Sequence, residues 1–202
     1  MEPVRPATRD LPDDLALPLL SGAPWWYWDG GRPALDLVNT LRERWRRRVE
    51  TLCGPGDLHA WLVTAGLLAP EAPPATAAHV TAARDLREAI DLLVSAVTAR
   101  RAAPPAAVAT VDGWLRRVAG GPALVVAGGI PVLRAAAPAG EAGAALGAVA
   151  RDAARMLGTP ERERVRICAS DTCSARFFDR SPAGRRRWCS MSACGNRAKA
   201  RR

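Results

Sequence analysis

The chain has 202 residues, of which 49% are apolar and 24% are charged. This composition is typical of a globular protein, and the length allows one domain of ordinary size plus a small appended module. The longest apolar candidate, residues 123–133, has about half of the roughly 20 residues that a membrane span requires. The first 25 residues have no basic end followed by an apolar stretch, so they do not resemble a signal peptide. We therefore expect a cytoplasmic protein without a membrane partner.

Charge is distributed unevenly along the chain. Residues 161–202 carry 12 basic and 4 acidic side chains, a net charge of +8, whereas residues 1–160 carry 17 and 16, a net charge of +1. A bias towards a GC-rich composition explains the use of Arg instead of Lys, but it does not explain why acidic residues become rare after Glu163. A basic segment beside a near-neutral body predicts a polyanionic partner, nucleic acid before a membrane surface.

The body is predicted to be mainly α-helical. Residues 1–24 are rich in Pro and Asp and should form a flexible arm, and residues 25–160 should form a helical domain with a small β-hairpin. The aromatic run Trp25–Trp28 is expected to pack in the core or at an interface rather than to cage a ligand. Apolar periodicity and capping signals predict helices from Ala34 to Trp45, from Asp57 to Gly66, over 75–100, from Pro104 to Val118 and over 141–157, with hairpin strands at 124–126 and 131–133.

Few residues of the body point to catalysis. His59 and His79 are each isolated in sequence, and no phosphate-binding glycine loop, nucleophile elbow or zinc-protease motif occurs. We therefore expect a protein that is not an enzyme. Asp36, Asn39 and Thr40 interrupt an apolar helix stripe and share one face. They either line a small-molecule pocket or cap the helix and satisfy nearby backbone groups, and the structural alternative is favoured because buried polar groups need partners.

Four of the five cysteines lie close together near the C-terminal end, and Cys53 stands apart from them. Cys168, Cys173, Cys189 and Cys194 have the spacing C-x4-C-x15-C-x4-C. Two close pairs separated by a loop are typical of a tetrahedral Zn²⁺ site, and four thiolates leave no open position on the metal. We expect one structural zinc ion per chain. Redox-active or free thiols and an iron–sulfur cluster are the less favoured alternatives.

The segment 161–202 is too small to form a core without this metal. A short strand is predicted at 165–167, and Phe177–Phe178 is predicted to form a hairpin with Trp188 across the turn at 181–184. A helix is predicted to begin at Cys194. The order of a cysteine knuckle, a hairpin and a helix predicts a treble-clef-like zinc finger.

Two parts of the sequence resemble known families. Residues 188–191 (WCSM) and 194–202 (CGNRAKARR) are similar to the CGNR zinc finger. Residues 35–40 (LDLVNT), 57–62 (DLHAWL) and 65–68 (AGLL) are similar to the ABATE domain, which precedes that finger in bacterial proteins assigned as stress-induced transcription regulators. The resemblance implies a DNA-binding regulator.

The charge pattern agrees with that implication. Arginine matches phosphate oxygens and guanine edges with its planar fork, whereas Asn196 either reads adenine or caps the terminal helix. Double-stranded DNA is the expected partner. RNA is an alternative partner if Phe177 and Phe178 are exposed and can stack on bases. The candidate nucleic-acid-binding residues are Arg185, Arg186, Arg187, Arg197, Lys199, Arg201 and Arg202.

The body is expected to sense a small-molecule effector or to mediate homodimerisation. The alternative function is a ligand-binding or protein-interaction stress protein whose finger only stabilises the fold. An enzyme built around Asp36 and Asn39 is a weaker third hypothesis.

Overall fold

A computed structural model describes residues 26–116, 123–127, 130–134 and 139–200. The predicted arm, Trp25, Val118, Arg201 and Arg202 lie outside the described residues. In chain order the elements are α1 (Pro33–Val38), β1 (Leu41–Arg42), β2 (Val49–Glu50), α2 (Pro55–Thr64), α3 (Ala77–Thr98), α4 (Pro105–Leu115), β3 (Ala123–Ala127), β4 (Ile130–Arg134), α5 (Ala142–Gly158), a 3₁₀ turn (Pro160–Arg164), β5 (Val165–Ile167), β6 (Arg176–Phe178), a π-helical turn (Met191–Gly195) and α6 (Asn196–Ala200). Each strand pair, β1–β2, β3–β4 and β5–β6, is antiparallel. Within the described ranges, no helix has the length and apolarity to cross a membrane.

The core lies between α1, α3, α4 and α5, which pack against one another. Leu86 and Ile90 on α3 and Leu146 and Val149 on α5 are fully buried, as expected for the apolar stripe of an amphipathic helix. α3 begins with a capping box: the Thr76 hydroxyl accepts the His79 N–H, and the His79 Nδ1 accepts the Thr76 N–H. His79 therefore acts as a helix cap rather than as a ligand.

Most of the predicted helices are confirmed, but the first one is too long in the prediction. α3, α4 and α5 match the helices predicted over 75–100, from Pro104 and over 141–157. The helix predicted from Ala34 to Trp45 is wrong beyond Val38, where the chain turns into β1. The Thr40 hydroxyl donates to the Leu37 carbonyl at 2.6 Å, and Glu43 has a left-handed φ of 47°, so the helical path ends there. Trp45 is consequently 52% exposed.

Asp57 caps α2 from inside the helix. Its carboxylate accepts the N–H of Gly54, the N-cap residue, at 2.9 Å. The helix therefore begins at Pro55, two residues earlier than the sequence signal, because Pro is favoured in the first turn. The predicted hairpin is confirmed as β3–β4, with Val125 paired to Val132.

The finger keeps the predicted order of elements, but its hairpin is different. β6 pairs with β5 and not with the segment around Trp188. The Cys168 N–H donates to the Ala175 carbonyl at 2.9 Å, so the first cysteine pair sits in the loop of this hairpin and draws its two strands together. The terminal helix begins at Met191, where a π-helical turn leads into α6. The prediction of a Phe178–Trp188 hairpin is therefore wrong.

β5 and β6 join the finger to the helical body. Val165 on β5 is 1% exposed and belongs to the main core of the body. The Phe178 N–H on β6 donates to the Gly30 carbonyl at 2.8 Å. Arg176 forms an ion pair with Asp91 of α3, with 2.6 Å between its Nε and a carboxylate oxygen. The finger and the body thus share backbone hydrogen bonds, a partly buried ion pair and part of one hydrophobic core.

Candidate zinc centre and basic surface of the finger

Four buried cysteine sulfurs come together in the finger. Cys168 and Cys173 lie in the loop between β5 and β6, Cys189 precedes the π-helical turn, and Cys194 lies within it. All four Sγ atoms are within 4.8 Å of one another. Two neighbouring pairs, Cys173–Cys189 and Cys189–Cys194, are 3.8 and 3.7 Å apart. A tetrahedron with Zn–S bonds of about 2.3 Å has edges of about 3.8 Å. The cluster therefore has the size that a four-thiolate Zn²⁺ site requires.

The electrostatics of the cluster also favour a cation. Hydrogen bonds from the other thiols, chiefly Cys173, lower the pKa of Cys168, whereas the same kind of bonds, chiefly from Cys168, raise the pKa of Cys189. The four thiols therefore compete for negative charge, and a divalent cation relieves the competition because every ligand binds it as a thiolate. With four protein ligands and no open position, the zinc is structural.

The CGNR residues serve this centre and its helical turn. Arg197 donates to the Cys194 Sγ at 3.1 Å, a charge-assisted contact that orients the ligand and favours its thiolate. The Asn196 side chain donates to the Ser192 carbonyl at 3.2 Å, so it satisfies the helical turn. A Cβ on Gly195 would lie 2.8 Å from the Met191 sulfur, so a side chain there would displace the exposed end of Met191. The side chains of the CGNR motif are thus largely engaged inside the finger.

Arg186 is also turned inwards. Its backbone N–H donates to the Asp179 carboxylate at 2.8 Å, its guanidinium donates to the Cys189 carbonyl at 2.5 Å, and the same group lies 5.0 Å from the Phe177 ring centre. Phe177 is fully buried, and Arg32 lies over the Phe178 ring at 5.5 Å. Neither phenylalanine therefore offers the exposed stacking platform that the RNA alternative required.

Three of the candidate nucleic-acid-binding cations are exposed, on α6 and on the outer loop that runs from β6 to the π-helical turn. Arg185 and Arg187 are exposed beside a groove of about 320 Å³, and Lys199 is exposed on the helix. Trp188 and Met191 line the same groove; Met191 is 48% exposed, and Arg187 lies 5.2 Å from the Trp188 ring centre. The sequence analysis did not predict that Trp188 and Met191 line a surface groove. The sequence Arg187-Trp188 could have indicated an arginine stacked on a tryptophan, but Trp188 was assigned to a strand.

Asp36, Asn39 and Thr40 lie at the junction with the finger. The Asn39 amide spans the backbone of Arg176: its Nδ2 donates to the Arg176 carbonyl at 2.9 Å, and its Oδ1 accepts the Arg176 N–H at 2.8 Å. The Thr40 hydroxyl accepts from the buried Arg87 at 3.3 Å. Asn39 and Thr40 thus have hydrogen-bond partners within the fold, as the structural alternative to a small-molecule pocket required.

Asp36 has a backbone partner of its own. Its carboxylate accepts the Gly30 N–H at 2.9 Å. Burial raises the pKa of Asp36 to about 7, and the nearby Asp29 and Asp152 act in the same direction. The hydrogen bond from Gly30 opposes the shift because it favours the carboxylate. The residue is therefore a buried titratable group at the loop that carries Gly30, the residue whose carbonyl binds β6.

These features define a helical domain joined to a structural four-cysteine zinc finger. Two family models match the chain. Residues 31–160 match the ABATE model, described as "putative stress-induced transcription regulator", and residues 164–202 match the CGNR zinc finger model. The chain belongs to the ABATE family and carries a CGNR zinc finger, which makes it a zinc-finger regulatory protein. No curated protein matches the sequence.

Proposed function

We propose that the protein is a DNA-binding transcription regulator, not an enzyme, and that its finger contacts the DNA backbone. The helical body would sense an effector or mediate homodimerisation. The observation that carries this proposal is the pair of exposed arginines, Arg185 and Arg187, beside the groove that Trp188 and Met191 also line. Lys199 is exposed on α6 of the same small module. Exposed arginines and lysines that are grouped on one module supply the electrostatic part of nucleic-acid binding.

The geometry reduces the number of expected phosphate contacts. Arg197 is held by the Cys194 sulfur and Arg186 by the Cys189 carbonyl, so we assign both to the finger itself. The three exposed cations remain, together with Arg201 and Arg202 of the sequence. Three to five contacts at about −0.9 each give a log–log salt slope of about −3 to −4.5 per chain.

A paired set of variants tests the proposal. DNA ligands are first selected from a random duplex pool with the zinc-loaded protein, and affinity is then measured at several salt concentrations. Arg185→Gln/Arg187→Gln should flatten the slope by about 2 units because two phosphate contacts are lost. The control, Arg116→Gln/Arg155→Gln, removes two exposed arginines of the body and should leave the slope unchanged. Equal effects of the two variants, or no duplex binding at low salt, would refute the proposal.

The second candidate function, a finger that only stabilises the fold, also has support. The finger is bound to the body through the Asn39–Arg176 backbone contacts and through Val165 in the body core. The CGNR side chains are engaged within the finger. If zinc removal destabilises the chain while no nucleic acid binds at low salt, this second function takes the place of the first.

A further inference from the structure

A basic cleft lies where the end of α3 meets the segment that leads into the finger. It has a volume of about 910 Å³, and its lining includes Arg100 and Arg101 after α3 and Arg162 and Arg166 before and within β5. Glu163 is the single acidic residue of this lining. Residues that are about 60 positions apart in sequence thus place four guanidinium-bearing side chains around one concave surface. No sequence motif indicated this arrangement.

Among the residues that the structure describes, three of these arginines have no counter-ion. Arg100, Arg101 and Arg162 are exposed, and within the described part of the chain their guanidinium groups form no ion pair or hydrogen bond. The arginines of α3 itself are paired: Arg87 with Glu50 at 2.7 Å and Arg84 with the same carboxylate at 3.4 Å. Like charges without partners repel one another, so an anion that enters the cleft gains from all of them.

Arg166 is fixed differently. Its guanidinium donates to the carbonyls of Val165 and Gly184, both at 2.9 Å. It therefore links the wall of the cleft to the outer loop of the finger, because Gly184 directly precedes Arg185. A ligand held by the cleft would therefore contact β5, which is hydrogen-bonded to that loop through Arg166.

The rest of the lining indicates the kind of anion. Val97 and Ile167 add apolar surface, and Thr98 adds a hydroxyl. A volume of this size is within the range of small-molecule sites, which combine an apolar surface with a few charged groups. Guanidinium groups bind phosphate in a bidentate manner. We propose that the cleft binds a small phosphorylated molecule that carries a ring or another apolar part, such as a nucleoside diphosphate.

This inference rests on the proposed regulatory function: it assigns the binding site of the effector to the cleft and its chemical class to phosphorylated small molecules. By joining Arg101 of the body to Arg162 of the segment that leads to Cys168, the ligand bridges the two parts of the chain. Binding at the cleft is measurable without DNA, so the failure of this proposal and the failure of the proposed DNA binding are distinguishable.

The test is titration calorimetry of the zinc-loaded full chain at low ionic strength with ADP, inorganic pyrophosphate, adenosine and a short DNA duplex. We expect ADP to bind more tightly than pyrophosphate because of the apolar lining, and adenosine not to bind because it has no phosphate. Arg101→Gln/Arg162→Gln should weaken ADP binding by at least about tenfold, since it removes two charge-assisted contacts. Arg116→Gln/Arg155→Gln should retain the wild-type affinity.

Zinc content and the melting temperature without ligand check that each variant is folded, and a rise in melting temperature with ADP gives a second measure of binding. The proposal is overturned if wild-type protein binds neither ADP nor pyrophosphate, or if the two double variants lose affinity equally. It is also overturned if the cleft variant weakens only duplex binding, because the cleft would then belong to the nucleic-acid surface.

Discussion

Replacing Asn39 with Ala should destabilise the whole chain, because its amide connects α1 to β6. The amide oxygen and nitrogen both bond to the backbone of Arg176, at 2.8 and 2.9 Å, and Asn39 is 3% exposed. Alanine leaves one buried N–H and one buried carbonyl without these partners. Each unsatisfied group costs about 1–3 kcal/mol, so the loss from two groups should be about 2–6 kcal/mol. That is a large part of the 5–15 kcal/mol by which a typical domain is stable.

Urea unfolding of the zinc-loaded protein, followed by the helical circular dichroism signal, measures this loss. Asn196→Ala is the matched control, because Asn196 is exposed and makes one hydrogen bond to the Ser192 carbonyl at 3.2 Å; it should cost less than about 1 kcal/mol. Zinc transfer to a coloured chelator should be faster in Asn39→Ala than in the control. If the free energy of unfolding of Asn39→Ala stays within about 0.5 kcal/mol of wild type, the amide is not a structural bridge and the ligand-pocket alternative becomes the better explanation.

Three further predictions concern titratable and metal-binding groups. Purified protein should contain one zinc ion per chain, and elemental analysis that finds no zinc in native protein would contradict this prediction. Cys189→Ser should abolish zinc binding. It should also lower the melting temperature of the whole chain, because Val165 of β5 belongs to the body core. The pKa of Asp36 is raised to about 7 in the folded chain. Between about pH 4 and 7 the folded chain therefore keeps the proton of Asp36, whereas the unfolded chain loses it. Because of this difference, the free energy of unfolding should fall by about 4 kcal/mol as the pH rises through that window and stay constant above it. Asp36→Asn keeps an acceptor for the Gly30 N–H and should remove this pH dependence. If the variant and the wild type have identical curves of stability against pH, Asp36 is not the group that causes the dependence. Cys53 is half-buried and burial raises the pKa of its thiol, so under reducing conditions it should be alkylated slowly at pH 8 and form no disulfide with the finger, as mass spectrometry after native labelling will show.

The sequence determined the features that depend on residues close together in the chain. The zinc ligands were predictable because two C-x4-C pairs each place two sulfurs on one turn, and the structure brings all four within 4.8 Å. α3 and α5 were predictable because their apolar residues repeat with the helical period over 22 and 17 residues. Family membership followed from the same local motifs.

The short elements were less predictable. The helix from Ala34 continued in the prediction because Leu41 and Trp45 fit the helical period. In the structure Leu41 is buried in a two-residue strand and Trp45 is exposed. Periodicity over so few residues does not separate a helix from a helix followed by a turn, and hydrogen bonds by polar side chains then decide where the helix ends.

The roles of the arginines were decided by the tertiary structure alone. Charge counts treated Arg186 and Arg197 as equal to Arg185, yet the first two are turned towards the zinc centre and the third towards solvent. Arg101 and Arg162 line one cleft only because β5 packs against the end of α3. Sequence carries the number and local spacing of charged side chains, whereas the partner that each one meets across the fold is set by how distant elements pack.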